Sequence, residues 1–396
     1  MEHLLSLERG LKIIDENIKN LGYEEVELLE SLGRNSFEEI YSSINIPPFD
    51  KSAMDGYAID IKDKGESLEV VHTIFAGDNP LISLSSGEAI EIMTGAKIPE
   101  GANAVIKKED VILKDKVIYL SKDISIGENI CPKGEDIFKG QLILNKNKII
   151  DYGDVGILAS CGISKIRVYK NPKIALITTG DELVDLNTLN LDQGKIYNTN
   201  KYSILARLKE LDFDVDYISH LKDDSFNIRK VIKELSIDYD LIITTGGVSV
   251  GERDLIIESL NYEDNILFWK VNIKPGSAMA FSKIEKCAVV SLSGNPTAAL
   301  TTFELMIAPI LNKFSGKERV EIVKEKAILK NNILNKEEKI RFLRGRYYVE
   351  GFVQYVELIQ TKSGNGIITS NRNSNCLTYI KEKEKKVGDI IEIIKL

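Results

Sequence analysis

Leu241-Ile242-Ile243-Thr244-Thr245-Gly246-Gly247 is a run of three aliphatic residues closed by two threonines and a glycine pair. A segment this short and this apolar, ended by glycine, reads as a strand buried on both faces that stops at a tight turn. Such strands belong to parallel sheets covered by helices on both sides. The pattern occurs twice more: 174–178 ends in Thr179-Gly180-Asp181, and 288–292 ends in Ser293-Gly294-Asn295-Pro296. Between these runs, helical spacing passes through Ile204, Leu205, Leu208 and Leu211 and again over 228–235, with a further strand at 215–218. Asn295 as N-cap and Pro296 at the first helical position open a helix through Leu300, Phe303 and Ile307, and Pro309 and Gly316 mark the end of the alternating strand–helix region. Strands alternating with helices across 169–316 predict a doubly wound, mostly parallel α/β domain.

The texture differs on either side. Ser6 can cap a helix with apolar positions at Leu7, Leu11, Ile14 and Ile18, followed by Gly22, and 26–34 shows a second helical pattern ending near Gly33. Residues 45–140 are rich in Gly, Pro and Asp, with short apolar runs at 68–74, 89–93, 104–106 and 117–120. They predict a β-rich domain. Helical texture returns at 151–159, so that domain reads as an insertion into a helical linker domain made of 1–44 and 141–168. Residues 317–396 carry short alternating runs at 347–349, 355–359, 377–380 and 390–394, expected to form a small, barrel-like C-terminal β domain.

At 396 residues, 43% hydrophobic and 28% charged, the chain has apolar material for several cores. A net charge of −8 gives no global positive field to attract nucleic acid or an anionic membrane. No stretch approaches a membrane span, and the N-terminus has no signal-like apolar region, so a cytoplasmic location is expected. Cys131, Cys161, Cys287 and Cys376 are scattered, and His3, His72 and His220 are far apart, which argues against a structural zinc site or a disulfide framework.

In an open α/β sheet, ligands bind beyond the carboxyl ends of the strands, where turns expose backbone N–H groups. A single glycine-rich turn can serve geometry alone. Three on one sheet edge, at Thr179-Gly180, Gly246-Gly247 and Gly294-Asn295-Pro296, point to a bound anion. Acids stand beside these turns: Asp181 and Glu182, Asp223 and Asp224, and Glu252 and Asp254. Carboxylates beside an anion site usually imply a bridging Mg²⁺, here on Glu182 and Asp254, although loop acids in so acidic a chain are common. Lys270 and Lys274, four apart in a predicted strand, would share a face and repel unless an anion lay between them. Asp50 and Asp55 flank a polar run that could bind metal or cap a turn, and on chemistry alone the turn is favoured.

Several segments, in order and over almost the whole chain, resemble one family. Pro47-Pro48-Phe49-Asp50-Lys51-Ser52-Ala53-Met54-Asp55-Gly56-Tyr57-Ala58, Ile92-Met93-Thr94-Gly95-Ala96 and Gly134-Glu135-Asp136-Ile137 are similar to motifs of molybdopterin molybdenumtransferases. So are Thr178-Thr179-Gly180-Asp181-Glu182-Leu183, Thr244-Thr245-Gly246-Gly247-Val248-Ser249-Val250-Gly251-Glu252 and Ser293-Gly294-Asn295-Pro296. The resemblance implies insertion of molybdate into adenylylated molybdopterin with Mg²⁺-dependent release of AMP. It implies a homodimer with the active site between subunits, and a molybdopterin adenylyltransferase as upstream partner. By position, it makes Asp55, Asp136, Glu182, Asp223 and Asp254 the functional acids, and Thr94, Lys270 and Lys274 the anion-binding residues. Ser249 falls within the second glycine-rich motif. Arg341, Arg344, Ser363 and Ser370 would belong to the C-terminal domain's side of the cleft. The family often has Arg, Lys and Pro where this chain has Cys131, Ser277 and Ser293, which removes positive charge from the expected site. An adenylyltransferase-like enzyme would not need 45–140 or 317–396, and a non-catalytic molybdopterin-binding scaffold would not need Asp55, Asp136, Glu182 and Asp254.

Overall fold

The computed structural model describes residues 3–65, 67–78, 81–248, 258, 266–335, 338–359 and 368–396. The chain divides into two compact units, 1–24 with 169–396, and 25–168.

The first unit is built on a seven-stranded sheet in the order His3–Leu5, Ile266–Val271, Met279–Ile284, Cys287–Leu292, Leu241–Thr245, Ile174–Thr179, Tyr217–Leu221. The four strands Cys287–Leu292, Leu241–Thr245, Ile174–Thr179 and Tyr217–Leu221 are mutually parallel. Met279–Ile284 runs antiparallel to both its neighbours. The three all-apolar runs are buried along their whole length because helices cover both faces. Ala175, Ile177, Ile242 and Val289 pack with Ile228 and Ile232 of the helix Ser225–Leu235. Ile174, Leu176, Ile243 and Val290 face Ile204 and Leu208 of the helix Thr199–Glu210, together with Leu11 and Ile14 of the N-terminal helix Leu7–Asn17. Ser6 caps that N-terminal helix by accepting from the Arg9 N–H. Ile18, expected inside it, is an extended C-cap residue.

The helix that begins at Pro296 runs to Thr302, passes through a π-helical turn, Phe303–Ile307, and continues over Ala308–Phe314. The π-turn carries Glu304, which is buried and accepts two bonds from Arg207, 2.8 Å to Nε and 3.2 Å to Nη2.

In the same unit, Ile340–Glu350, Val353–Leu358, Glu325–Leu329, Ile390–Lys395 and Cys376–Ile380 pair in sequence, and the last closes on the first. This five-stranded barrel buries Ala327, Leu329, Val356, Ile391 and Ile393.

The second unit holds a six-stranded sheet in the order Ala104–Lys107, Gly56–Ile59, Glu88–Ile92, Leu68–Ile74, Val117–Leu120, Val111–Lys114. The helix Tyr152–Ser160 opens on a capping box in which Asp151 and Asp154 exchange bonds with each other's backbone N–H. The helix expected over 26–34 is not there. Tyr23–Glu27 is a strand with alternating exposure, paired with Lys165–Tyr169, and a 3-10 turn Leu28–Ser31 follows. Exposure alternates along this strand, with Glu24 and Val26 on its half-buried face. Among the described residues no helix is long and apolar enough to cross a membrane.

Candidate functional site

The three glycine-rich turns meet at the carboxyl edge of the central sheet, since the strands that lead into them are adjacent and parallel. Gly246, at φ 96°, lies against the first turn: a Cβ on it would stand 2.2 Å from the Thr179 carbonyl oxygen and 2.7 Å from Thr179 Oγ1. Its N–H donates to the Leu292 carbonyl, 3.2 Å. A Cβ on Gly294 would lie 3.6 Å from Gly246 Cα. The turns therefore form one continuous small-residue floor, which the Gly246-Gly247 pair completes with both residues at positive φ.

Two residues that sequence reasoning missed tie the floor together. Asn200 Nδ2 donates to Thr245 Oγ1 and to the Gly294 carbonyl, both 2.8 Å. Asn198 Nδ2 donates to Thr178 Oγ1 at 2.8 Å, and its Oδ1 caps the Thr199–Glu210 helix. Thr178 Oγ1 also lies 3.1 Å from His220 Nδ1. The only signal in the sequence was Asn198-Thr199-Asn200 at a helix start, where capping alone explains an asparagine. Among the described residues, the buried atoms Thr179 Oγ1, Thr244 Oγ1, Asn200 Oδ1 and Ser291 Oγ at this end of the sheet have no hydrogen-bond partner. Unsatisfied buried polar atoms are uncommon and call for a partner, so the edge is chemically suited to a polar ligand. Asn295 Oδ1 is used internally, accepting from the Thr297 and Ala298 N–H groups, with Pro296 at the first helical position.

The acids gather around the first turn. A Cβ on Gly180 would meet the Glu182 carboxylate at 2.8 Å, and the Asp223 N–H donates to Asp181 Oδ1 at 3.4 Å. Desolvation, with the Asp181 and Glu182 carboxylates nearby, pushes the Asp223 carboxyl above its usual range. Among the described residues no group of three potential metal ligands converges. Asp254, Ser249 and Ser363 lie outside the described residues.

Lys270 and Lys274 do not share one strand. Lys270 is left-handed at φ 69°, which breaks the alternation. The chain then leaves the central sheet, and Ile273–Lys274 pairs in parallel with Ile340 and Arg341 at the start of the longest barrel strand. Lys270 Nζ sits 3.8 Å from the centre of the Trp269 ring. Lys274 and Arg341 are thereby neighbours in register. Arg341 Nη1 also donates to the Leu334 carbonyl at 3.1 Å. Ser277, where the resemblance leads one to expect lysine, has Lys339 Nζ 3.5 Å from its Oγ. Arg344 and Ser370 are both buried. Desolvation and the nearby Arg207 charge hold the Arg344 guanidinium below its ordinary range, opposed by Glu304.

In the second unit, Asp55 Oδ1 accepts from both the N–H and the hydroxyl of Thr94, each at 2.7 Å. Those two bonds hold its carboxyl below the usual range. Asp55 thus fixes the Thr94-Gly95 turn, the structural role that its chemistry favoured. Lys51–Ser52 pairs antiparallel with Ile130–Cys131, so exposed Asp136 and Asp55 leave that pairing in opposite directions, and Asp136 lies beside Ile46. The Asp136 N–H donates to the Ile46 carbonyl.

Residues 5–162 match the family model "MoeA N-terminal region (domain I and II)", and residues 175–313 match "Probable molybdopterin binding domain". The chain is 35% identical to a molybdopterin molybdenumtransferase of Haemophilus influenzae, over 92% of this chain and 91% of that one. It is 34% identical to one of Staphylococcus aureus, over 93% and 90% respectively. The crystal structure of a molybdopterin biosynthesis MoeA protein from Pyrococcus horikosii superposes with a TM-score of 0.86 at 30% identity, covering 99% of each chain. With whole-length relatives, two family models in tandem and the same architecture, the chain belongs to the molybdopterin molybdenumtransferase family.

Proposed function

We propose that this enzyme inserts molybdate into adenylylated molybdopterin and releases AMP, with Mg²⁺ as the assisting ion and a cytoplasmic homodimer as the working form. A molybdopterin adenylyltransferase would supply the substrate. The observation that carries the reading is the fused floor of three turns with Thr179 Oγ1, Thr244 Oγ1 and Asn200 Oδ1 unsatisfied at its edge. Backbone N–H groups and hydroxyls of Thr179, Gly180, Gly246, Gly247 and Gly294 would receive the pterin's phosphate side. Ser249 and Ser363 are assigned to ligand binding by family resemblance alone, and Asp254, with Glu182, to the metal. Thr94, Asp55 and Asp136 are assigned to the adenylyl end in the same way, and Arg344 and Ser370 to support of the barrel side.

Release of AMP requires water to attack the adenylyl phosphorus. The new P–O bond forms as the bond to the molybdopterin phosphate oxygen breaks, and the water's proton must leave. Asp223, raised by desolvation and by its acidic neighbours, is the carboxylate best placed in affinity to take that proton. Mg²⁺, held by Glu182 and Asp254, would offset the charge between phosphate and carboxylates. Lys270, Lys274 and Arg341 provide positive charge for the incoming oxyanion.

The reading is checked by following AMP release from adenylylated molybdopterin in the presence of molybdate and Mg²⁺. Asp223→Asn should lower kcat by about 10²-fold or more, the usual contribution of a general base, with ligand affinity retained. Equal rates in the variant and the parent would remove Asp223 from the reaction. Absence of AMP release by the parent chain would remove the reading itself.

A further inference from the structure

Several half-buried lysines of this chain are paired with a carboxylate. Lys201, Lys313, Lys324 and Lys385 each have a carboxylate within 3.3 Å. That is expected with 60 Asp and Glu against 52 Lys and Arg. Lys339, half-buried at the mouth of the barrel, has no carboxylate within ion-pair distance among the described residues. Among the described residues its ammonium contacts one side chain, Ser277 Oγ, at 3.5 Å. That hydroxyl already donates its proton to the Val271 carbonyl at 2.8 Å, so it offers Lys339 a single weak acceptor.

The position is held from both sides. Buried Asn335 donates to the Lys339 carbonyl, 3.2 Å. The next two residues, Ile340 and Arg341, pair with Ile273 and Lys274. The receiving loop is closed by the Val271 N–H donating to the Ser277 carbonyl at 3.1 Å. That loop presses onto the helix following the third glycine-rich turn, since a Cβ on Gly276 would stand 2.6 Å from Thr302 Oγ1 and 3.2 Å from the Ala298 carbonyl. Lys339 therefore adds an ammonium to the rim where Lys274 and Arg341 already stand in register. Concentrated positive charge in an acidic chain, held partly out of water, favours an anion there.

We propose that Lys339 is a further anion-binding residue of this site, gripping a compact tetrahedral oxyanion above the Val271-to-Ser277 loop together with Lys274 and Arg341. This rests on the functional reading given above. Free molybdate and the phosphoryl end of a larger ligand share that chemistry.

Equilibrium binding of molybdate, tungstate, inorganic phosphate and AMP to the full chain tests it. Lys339→Gln, which can still bond to Ser277, should weaken the preferred anion about tenfold or more with an unchanged melting temperature. Lys339→Arg should recover most of that affinity. Lys286→Gln, at an exposed turn, should leave it unaltered. Preference for molybdate and tungstate would assign the site to the free oxyanion, and preference for phosphate and AMP to a phosphoryl group. Parent-like affinity in Lys339→Gln, or an equal loss in Lys286→Gln, overturns the proposal and leaves the functional reading standing. A parent chain that binds none of the four anions overturns both.

Discussion

Gly246→Ala should destabilise the chain by about 3 kcal/mol or more, while Gly22→Ala should cost only about 1–2 kcal/mol. Both glycines have positive φ, 96° and 80°, so both substitutions carry the left-handed backbone penalty. They differ in what the new methyl meets. At Gly22 nothing lies within 4 Å, whereas at Gly246 it would fall 2.2 Å from a backbone oxygen of the neighbouring turn. A backbone atom of a central strand cannot rotate aside as a side chain can, so the Thr179 and Gly246 turns must separate. Their separation would also break the bond from the Gly246 N–H to Leu292 and disturb the Asn200 bridge. Urea unfolding of the two variants against the parent measures the difference directly. Equal losses would show that the turns relax without strain and that the floor is less tightly fused than described.

The second large effect is expected at a buried charge cluster. Glu304→Gln should lower stability by about 3–5 kcal/mol, the usual result of leaving buried charge uncompensated. Glu304 holds Arg207 through two bonds, and its charge is also the attractive partner of buried Arg344. Neutralising it leaves two like-charged guanidinium groups that influence each other, and among the described residues Arg344 Nε has no hydrogen-bond partner. Adding Arg344→Gln to Glu304→Gln should recover part of the loss, because one of the two like charges is then gone. A double-mutant cycle by denaturant unfolding reads this coupling. Purely additive losses would mean that the three residues do not act as one cluster.

Much of the fold was legible in the sequence for a specific reason. Strands such as 241–245 and 174–179 are apolar throughout because both faces are covered, and that pattern survives without knowledge of partners. The floor of the site was legible too, since glycines at strand ends signal close backbone approach. What escaped depends on distant residues. Asn198 and Asn200 look like helix-start residues until Thr178, Thr245 and Gly294 are brought beside them. Lys339 looks like one surface lysine among many until the barrel strand docks against Ile273–Lys274. The shared face of Lys270 and Lys274 was misread because left-handed Lys270 carries no glycine to announce it. Val26 was misplaced in a helix because five residues contain too few apolar positions to separate the two periods.

The central claim is molybdenum transfer, and its most direct measurement is the fate of the metal. The purified chain would be given adenylylated molybdopterin, Mg²⁺ and radiolabelled molybdate, and the pterin product passed to a cofactor-free molybdoenzyme. The account predicts AMP release matched by label bound to the pterin, with activation of the acceptor enzyme. AMP release without label in the pterin, or activation that does not require this chain, would contradict it.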